Sequence, residues 1–378
     1  MLSAKSPEAL RGQAVRLGGW LADRPGGSVA DVACSLVSTR AVFAHRAVVV
    51  GSDREGLLGA LAGVADGVEV PGVVIGQAVQ GSAGVVMVFP GQGSQWVGMA
   101  RELMDHSPVF AEWMRRCEQA LAEWTDWSLL DVLDQEHMLA RVDVVQPVLW
   151  AVMVSLAQVW RSVGVEPAAV VGHSQGEIAA VCVAGGLSLG DAARVVALRS
   201  RLIAEELAGG GGMVAVEATA EEVAERIARW RGRVSVAAVN GVRSTVVSGE
   251  DAALEEMIAA CEVAGLRTRR VPVDYASHSA SVETIRERLL AVLEGIRPRA
   301  SAVPVYSTVE AAVMDTAVMD GEYWYRNLRE TVRFAETTRV LLDAGFSVFV
   351  EASAHPVLTS GIEATAEDMG VRASALGT

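Results

Sequence analysis

A serine stands between two glycines in Gly172-His173-Ser174-Gln175-Gly176, and its surroundings are those of a nucleophile. The valines before it predict a strand, and the alanine-rich residues after it predict a helix. A strand, a sharp turn and a helix around G-x-S-x-G hold the serine hydroxyl above the carboxyl end of a parallel strand. Glycines are needed there because a side chain would collide with neighbouring backbone. The alternative is a glycine-rich turn whose serine only caps the helix.

Two histidines are candidates for the base that a serine nucleophile requires. His278 follows a predicted strand and emerges between two predicted subdomains. His355 follows an apolar strand late in the chain, where an ordinary α/β-hydrolase carries its catalytic histidine. His173 adjoins the serine on the elbow and cannot easily fold back onto it. His278 is therefore well placed as the base, and His355 is its rival.

An arginine falls on the apolar face of the helix predicted to begin near Ser188. At 100° per residue, Arg199 lies in the middle of the apolar stripe, whereas Arg194 and Arg201 lie on the opposite, solvated face. The stripe consists of Ala192, Val195, Val196, Leu198, Leu202 and Ile203. A buried guanidinium needs a fixed anion, because an unpaired buried charge costs several kcal/mol or more. That anion is a carboxylate of the protein or of a substrate, which a guanidinium fork matches with two hydrogen bonds.

A second glycine-rich loop follows the apolar run 85–89, which predicts a buried strand. The loop, Pro90-Gly91-Gln92-Gly93-Ser94-Gln95, lacks the G-x-G-x-x-G spacing of dinucleotide-binding folds. Loops at the carboxyl ends of parallel strands converge on one crevice, so Gln92 is expected to reach the same crevice as Ser174. A plain glycine turn is the alternative.

The order of elements predicts an α/β fold with a parallel-sheet, hydrolase-like core and an inserted ferredoxin-like subdomain. Residues 1–84 predict a small α+β unit. Residues 85–212 and 276–378 form the predicted core, with helices at roughly 98–121 and 144–163 and another from about 282 to 293. Residues 213–275 show the β-α-β-β-α-β order of a ferredoxin-like unit.

Composition excludes several classes of function. The chain has 378 residues, 51% of them hydrophobic, and a formal net charge of −14, which argues against a nucleic-acid or anionic-membrane binder. Its four cysteines show no metal-ligand spacing and predict reduced thiols, and no metal site is expected. No signal peptide is evident, and the longest apolar run, 147–160, is too short to span a bilayer. We therefore expect a cytoplasmic protein.

Taken together, these segments resemble an acyltransferase domain of a modular type I polyketide synthase. The resemblance covers about residues 85–378, and residues 1–84 resemble the linker that joins a ketosynthase to such a domain. Neither terminus coincides with a natural boundary, so we expect the chain to be a piece of a larger, multifunctional synthase. The resemblance rests on the two glycine-rich segments above, on Arg199, on Tyr275-Ala276-Ser277-His278 and on Tyr323-Trp324 with Asn327.

The resemblance implies a role for each of these residues. Ser174 would form an acyl-enzyme from an acyl-CoA thioester, and His278 would take its proton and later activate the phosphopantetheine thiol of an acyl carrier protein. A carbonyl oxygen would orient the histidine, and by motif position it falls at Asn327. Gln92 and the backbone N–H of Gln175 would form the oxyanion hole. No permanently bound cofactor is implied, and the partners would be the carrier protein and the ketosynthase.

The resemblance also implies an acyl group. Arg199, 25 residues after Ser174, matches the position that grips the free carboxylate of a dicarboxylic extender unit. The methylmalonyl-selective branch is indicated by Arg141-Val142-Asp143-Val144-Val145-Gln146, by Gln175 and by the segment 275–278. Malonyl-selective relatives carry His-Ala-Phe-His there, and the small Ser277 leaves room for an α-methyl group, a difference of only about 1–3 kcal/mol. We assign His173, Tyr275 and Ser277 to substrate binding.

Three hypotheses follow. The first is transfer of a methylmalonyl group from CoA to a carrier-protein thiol during polyketide assembly, as in antibiotic biosynthesis. The second is an ester hydrolase that uses Ser174, His355 and an unidentified acid. The third is a non-catalytic docking module that only binds a synthase partner.

Overall fold

The computed structural model describes residues 1–78 and 81–378, and the chain divides into two compact units, Met1–Gly81 and Ser82–Thr378. The first unit is an α+β unit with a three-stranded antiparallel sheet in the order β1-β2-β3. Its helices begin at capping side chains: Ser28 Oγ accepts the N–H of Asp31 at 3.2 Å, where the sequence predicts a helix start. In chain order its elements are β1 (Leu2–Ala4), α1 (Pro7–Ala22), α2 (Val29–Ser38), β2 (His45–Val49), α3 (Arg54–Asp66) and β3 (Val73–Gln77).

The second unit carries every candidate site residue. Its elements before the smaller sheet are β4 (Val85–Phe89), α4 (Arg101–His106), α5 (Pro108–Leu121), α6 (Leu129–Val132), α7 (Glu136–Leu139), α8 (Val142–Ser162), β5 (Pro167–Gly172), α9 (Gly176–Ala184) and α10 (Leu189–Glu206). The smaller sheet and its helices are β6 (Gly212–Val216), α11 (Ala220–Ile227), β7 (Val234–Gly241), β8 (Ser244–Gly249), α12 (Asp251–Val263) and β9 (Thr268–Val271). The remainder is α13 (Arg286–Leu293), β10 (Val305–Ser307), β11 (Ala312–Met314), α14 (Gly321–Arg329), α15 (Phe334–Asp343), β12 (Val348–Glu351), α16 (Thr359–Asp368) and β13 (Ser374–Gly377).

A six-stranded sheet in the order β11-β10-β5-β4-β12-β13 organises the described part of this unit. Its pairings are parallel except for β11, which runs antiparallel to β10. The neighbours β4 and β5 end level with each other, since Phe89 pairs with Gly172. The loops that follow these two strands therefore begin side by side. This is the position of the ligand crevice in open parallel sheets, at the carboxyl ends of the strands.

Helix α8 is the longest helix of this unit and lies in its interior. It is long and apolar enough to cross a membrane by length and composition, but 83% of its most apolar window is buried within the protein. Trp150 and Leu149 are fully buried among the side chains of the main hydrophobic core. Its hydrophobicity is accounted for by this packing.

The smaller sheet has four antiparallel strands in the order β7-β8-β6-β9. The element order from β6 to β9 is β-α-β-β-α-β, as the sequence predicts, with a short 3-10 turn after α11. The chain leaves β9 at Val271 and reaches His278 seven residues later. His278 therefore lies on the segment by which the chain returns from the smaller sheet to the rest of the unit.

Two helices that the sequence predicts as continuous are interrupted in the structure. The helix expected at roughly 98–121 is broken at Ser107, whose backbone is extended, and α5 begins at Pro108. Proline lacks the N–H of a helix interior and disfavours a helical residue before it, so it starts a new helix here. The helix expected from about 282 to 293 is a 3-10 helix at Ala280–Ile285 followed by α13.

Candidate active site

The segment around Ser174 forms the predicted elbow between β5 and α9. Ser174 has φ of 53°, in the left-handed region, which few non-glycine residues adopt. A Cβ on Gly172 would collide with the backbone of Glu177, and a Cβ on Gly176 would collide with the carbonyl oxygens of Phe89 and Pro90. Close backbone approach therefore requires both glycines. The hydroxyl lies at the N-terminal end of α9, where the helix dipole favours negative charge.

The loop after β4 lies against this elbow. His173 N–H donates to Phe89 O at 2.8 Å. A Cβ on Gly91 would lie 3.2 Å from His173 Nδ1 and 3.8 Å from Ser174 Cβ. The two glycine-rich loops are thus in contact, as predicted, and Gln92 follows Gly91, which lies against the elbow.

His278 is the histidine that reaches Ser174. Its Nε2 lies 2.8 Å from Ser174 Oγ, and its Nδ1 lies 2.7 Å from the backbone carbonyl oxygen of Glu330. A carbonyl oxygen can only accept, so Nδ1 carries the hydrogen and Nε2 is left to accept the serine proton. His355 is exposed, and its backbone carbonyl accepts a hydrogen bond from Ser353 Oγ at 2.9 Å. The rival histidine is therefore not the partner of Ser174.

The prediction that Asn327 supplies the carbonyl for His278 is wrong. The accepting carbonyl belongs to Glu330, three residues further on, just beyond the end of α14. The backbone N–H of His278 also donates to Leu328 O at 2.9 Å. Leu328 lies in the last turn of α14, where helix carbonyls lack intrahelical partners and carry partial negative charge, and Glu330 is the extended residue directly after the helix. The hydrogen-bond partner of His278 Nδ1 is therefore a backbone carbonyl and not an aspartate.

Burial controls the protonation of His278. The side chain is almost fully buried, and this burial lowers its pKa to about 3, although the hydrogen bond to Glu330 opposes the shift. The imidazole is therefore neutral at physiological pH. A neutral imidazole next to a serine hydroxyl is the state that a general base requires.

Arg199 is fully buried on α10, as its place on the apolar stripe predicts, while Arg201 is exposed and Arg194 is half-buried. Burial lowers the pKa of Arg199 to about 10, so the guanidinium stays charged at neutral pH. Nη1 donates to Asn327 Oδ1 at 2.7 Å. Within residues 1–78 and 81–378, Nε and Nη2 have no hydrogen-bond partner. The protein carboxylate that the sequence allowed as a partner does not bind this guanidinium directly.

Glu177 is a site residue that the sequence reasoning missed. It lies one turn after Ser174, is fully buried, and accepts hydrogen bonds from Thr308 N at 3.2 Å, from Thr308 Oγ1 at 2.9 Å and from the Tyr323 hydroxyl. Burial raises its pKa to about 7. The signal was present, because a glutamate inside an otherwise apolar helix start is as exceptional as an arginine on an apolar stripe.

The amide of Asn327 connects these groups. Its Oδ1 accepts from Arg199, and its Nδ2 lies 3.3 Å from Ser174 O and 3.4 Å from Glu177 Oε2. Asn327 is therefore close to the site, as predicted, but through its side chain and in contact with different partners.

Tyr275 connects Gln92 and Gln146, which come from two other segments of the sequence. Its hydroxyl donates to Gln92 Oε1 at 3.0 Å and accepts from Gln146 Nε2 at 3.2 Å. Because the Gln92 oxygen is engaged, its amide nitrogen remains as the donor. The oxyanion role predicted for Gln92 is compatible with this arrangement.

The remaining predicted residues also border the site. Gln175 is buried, and neither atom of its side-chain amide has a partner in the described ranges. Ser277 is buried, with Oγ 3.4 Å from Met213 Sδ. His173 turns away from the serine: its Nε2 lies 2.7 Å from Asn240 Oδ1, and burial lowers its pKa. Its substrate-binding role stays a prediction.

No group of three or more histidine, cysteine or acidic side chains that could hold a metal ion occurs among the described residues.

Comparison with known proteins identifies the family. Residues 86–378 match the family described as acyl transferase domain, and residues 1–61 match one described as CurL-like, PKS C-terminal. The chain therefore belongs to the acyl transferase domain family. Within that family it is an acyltransferase domain of the modular type I polyketide synthase kind.

Individual relatives agree with this assignment. The chain is 58% identical over 381 residues to the spectinabilin polyketide synthase system protein NorA' of Streptomyces orinoci, covering 100% of this chain and 10% of that protein. The acyltransferase domain from module 8 of the salinomycin polyketide synthase superposes with a TM-score of 0.97 at 55% identity, over 100% of this chain and 90% of the other. A loading acyltransferase from the avermectin modular polyketide synthase gives 0.75 at 52% identity, over 78% and 94%. The chain spans only about a tenth of the length of curated relatives such as NorA'.

Proposed function

We propose that this domain transfers a methylmalonyl group from CoA to the phosphopantetheine thiol of an acyl carrier protein through an acyl-serine intermediate. One observation carries the proposal: hydrogen bonds run from His278 through Ser174 and Asn327 to Arg199. A nucleophile with its base and a buried cation with free donors thus share one network. The first group attacks a thioester, and the second holds a carboxylate.

In the acylation half-reaction, Ser174 Oγ attacks the thioester carbonyl carbon while His278 Nε2 takes the hydroxyl proton. The C–S bond of the tetrahedral intermediate then breaks, and His278 returns the proton to the departing CoA sulfur. The imidazolium that forms between these steps is stabilised by the carbonyls at the C-terminal end of α14, to which His278 donates from Nδ1 and from its backbone N–H.

The second half-reaction reverses the first with a different thiol. His278 takes the proton of the pantetheine thiol, and the thiolate attacks the acyl-serine carbonyl. The C–O bond then breaks, and Ser174 recovers its proton from His278. No resident cofactor takes part in either half-reaction. A ping-pong order follows, since CoA leaves before the carrier protein reacts.

The oxyanion of both intermediates requires donors near Ser174. We assign them to the backbone N–H of Gln175, at the start of α9, and to the amide nitrogen of Gln92, whose oxygen is held by Tyr275. Removing one such donor typically costs about 2.7–4 kcal/mol of transition-state stabilisation.

The acyl group is argued from Arg199 and the residues near it. A buried guanidinium whose Nε and Nη2 have no protein partner among the described residues suits the free carboxylate of a dicarboxylic acyl group. Ser277, small and buried, leaves space where the malonyl-selective pattern carries phenylalanine. Sequence identity alone does not distinguish between acyl groups, because the loading acyltransferase is 52% identical to this chain and the acyltransferase domain from module 8 is 55% identical.

The architecture supports the same proposal. The six-stranded sheet with its serine elbow fits a hydrolase-like core, and the small sheet with strand order β7-β8-β6-β9 fits an inserted ferredoxin-like subdomain. We propose residues 1–84 as the linker to a ketosynthase, 213–275 as the small subdomain, and a cytoplasmic synthase as the setting. The carrier protein and the ketosynthase are the proposed partners.

The test is the intact mass of the protein after incubation with methylmalonyl-CoA. We expect an adduct of one methylmalonyl group on the native chain and none on Ser174→Ala. His278→Ala should fail to acylate, whereas His355→Ala, a matched substitution of an exposed histidine, should acylate normally. An adduct that survives Ser174→Ala, or a loss of acylation in His355→Ala but not in His278→Ala, would contradict the proposal.

Arg199→Ala tests the acyl class separately. Removing the guanidinium should lower kcat/KM for methylmalonyl-CoA by at least about 100-fold, in line with the loss of a buried charged pair, and lower that for propionyl-CoA far less. Steady-state transfer to a carrier protein measures both. Equal losses for the two substrates would count against a carboxylate grip.

A further inference from the structure

The transfer chemistry leaves Glu177 without a role, although it is the carboxyl closest in sequence to the nucleophile. It is fully buried and receives hydrogen bonds from Thr308 and Tyr323. A carboxyl supplied with so many donors is built to hold a negative charge, yet its burial opposes that charge and raises its pKa to about 7. Both protonation states are therefore accessible near neutral pH.

Asn327 separates this carboxyl from Arg199. One end of its amide accepts from Nη1 of the guanidinium, and the other end points its Nδ2 to Glu177 Oε2. A direct arginine–glutamate pair would form parallel hydrogen bonds and occupy two guanidinium donors. With the amide between them, Nε and Nη2 stay free of protein partners in the described residues.

The arrival of a substrate carboxylate changes the charge balance of this pocket. This part of the site holds one guanidinium and one carboxyl, and a dicarboxylic acyl group adds a second carboxylate. Two carboxylates around one buried cation repel each other in a low-dielectric interior. An ionised Glu177 therefore weakens substrate binding, and a protonated Glu177 does not.

We propose that Glu177 and Asn327 are positioning residues that set how strongly Arg199 holds the substrate carboxylate. Asn327 keeps the guanidinium apart from Glu177, and the charge on Glu177 moderates the grip so that the acyl group can be released to the acceptor. This inference rests on the proposed function, because it assumes that Arg199 binds a dicarboxylic acyl group.

The groups around Glu177 leave it as the one that changes charge near neutrality. Arg199 from α10 and Tyr323 from α14 face it, together with the hydroxyls of Ser307 and Thr308 at the end of β10. Burial lowers the pKa of Arg199 only to about 10 and raises that of Tyr323 well above its usual value. Burial also lowers the pKa of His278 to about 3, so the base does not titrate in the same range.

The experiment compares two acyl donors across pH. The measured quantity is the ratio of kcat/KM for methylmalonyl-CoA to that for propionyl-CoA, from pH 6 to 8. Effects on folding or on His278 act on both substrates and cancel in the ratio. In the wild type the ratio should rise severalfold as the pH falls from 8 to 6, because Glu177 becomes protonated.

Two isosteric substitutions should move this ratio in opposite directions. In Glu177→Gln it should be raised at pH 8 and independent of pH, because the repelling charge is gone. In Asn327→Asp it should fall by about tenfold or more, because the new carboxylate pairs with Nη1 and neutralises the cation. A residue that served only packing would change both substrates alike.

A wild-type ratio that does not vary with pH, or shifts of the same sign in both variants, would overturn the inference. If Asn327→Asp does not fold, the wild-type profile and Glu177→Gln decide it. Arg199→Ala separates this inference from the proposed function. A ratio unaffected by Arg199→Ala overturns the carboxylate grip itself, whereas a ratio that collapses there but is flat with pH in the wild type overturns only the role of Glu177.

Discussion

The serine elbow and the histidine loop each hold one residue in a left-handed backbone conformation, but different interactions stabilise the two. Ser174 and His278 both have left-handed backbones, with φ of 53° and 57°. At the elbow, Gly172 and Gly176 allow backbone contacts that no other residue fits, with Glu177 in the same segment and with Phe89 and Pro90 at the end of β4. The histidine loop has no glycine between Asp274 and Ser279 and is held by the end of α14.

This difference decides which part of the site can be inferred from local sequence. The elbow is marked in the sequence by its residue types, because the sharp turn needs a glycine on each side of the serine. The histidine loop depends on long-range hydrogen bonds, including those of His278 to Leu328 O and Glu330 O, and neither partner is marked by its residue type. Strain of this kind persists only where the surrounding structure over-determines it.

Gly176→Ala should have the largest effect of the changes that probe this comparison. The new Cβ would overlap the carbonyl oxygens of Phe89, the last residue of β4, and of Pro90 directly after it, and backbone at the end of a central strand cannot move aside. We expect a loss of more than about 4 kcal/mol in the free energy of unfolding, or no soluble protein. Denaturant unfolding measures it.

Gly190→Ala is the matched control. Its Cβ would meet only Ser188 Oγ at 4.0 Å, in the first turn of α10. Stability should change by less than about 1 kcal/mol, and in the favourable direction, because alanine restricts the unfolded chain. A comparable loss in both variants would show that the elbow is not specially constrained.

Ser279→Ala should have an intermediate effect on the histidine loop. Ser279 Oγ donates to Ala276 O at 2.7 Å and accepts from Ser281 N at 3.2 Å, which ties the residues on both sides of His278. We expect about 1–2 kcal/mol of destabilisation from the lost cap and buried hydrogen bond.

Because the loop positions the base, kcat for propionyl transfer should also fall in Ser279→Ala. Thr284→Ala removes an exposed hydroxyl that donates to Ser281 O at 2.8 Å and should leave kcat near the wild-type value. A stability loss without any change in kcat would mean that the loop holds His278 without this serine.

The smallest effect is expected from pH on a substrate without a free carboxylate. Burial lowers the pKa of His278 to about 3, so the imidazole remains a base until the pH falls towards that value. We expect kcat/KM for propionyl-CoA to change less than about twofold between pH 8 and 5.5. A histidine with an ordinary pKa of about 6.5 would lose about tenfold over that range. Such a loss would mean that His278 is more hydrated than its surroundings indicate.

Much of the site was accessible from the sequence, and the exceptions have physical causes. Arg199 could be placed because helical periodicity is a local property, and its burial follows from the apolar residues beside it. Asn327 was assigned to the wrong partner because a backbone carbonyl carries no sequence signal. Glu177 was not predicted as a site residue, although a charged residue at the start of an apolar helix is as clear a signal as Arg199 on its apolar stripe.

In the fold, too, the features with a local sequence pattern were predicted and those set by tertiary packing were not. Strand β4 was predicted at its observed limits, because a continuous apolar run between turn residues indicates a buried parallel strand. The helix predicted across Ser107 failed because its periodicity continues through Pro108 while its backbone cannot. Which strands pair across the six-stranded sheet is set by tertiary packing and has no counterpart in local pattern.

The edge strand β13 has a practical consequence for exchanging such domains between synthases. It pairs in parallel with β12 from Ser374 to Gly377, and the absence of a side chain at Gly377 makes room for Pro356. A chimera joined before Ser374 would strip β12 of its neighbour and expose a row of open peptide groups to foreign chains. Junctions placed beyond Gly377 keep β13 in place, so β12 stays paired on both sides and the exposed edge of the transplanted domain is the one that it has here.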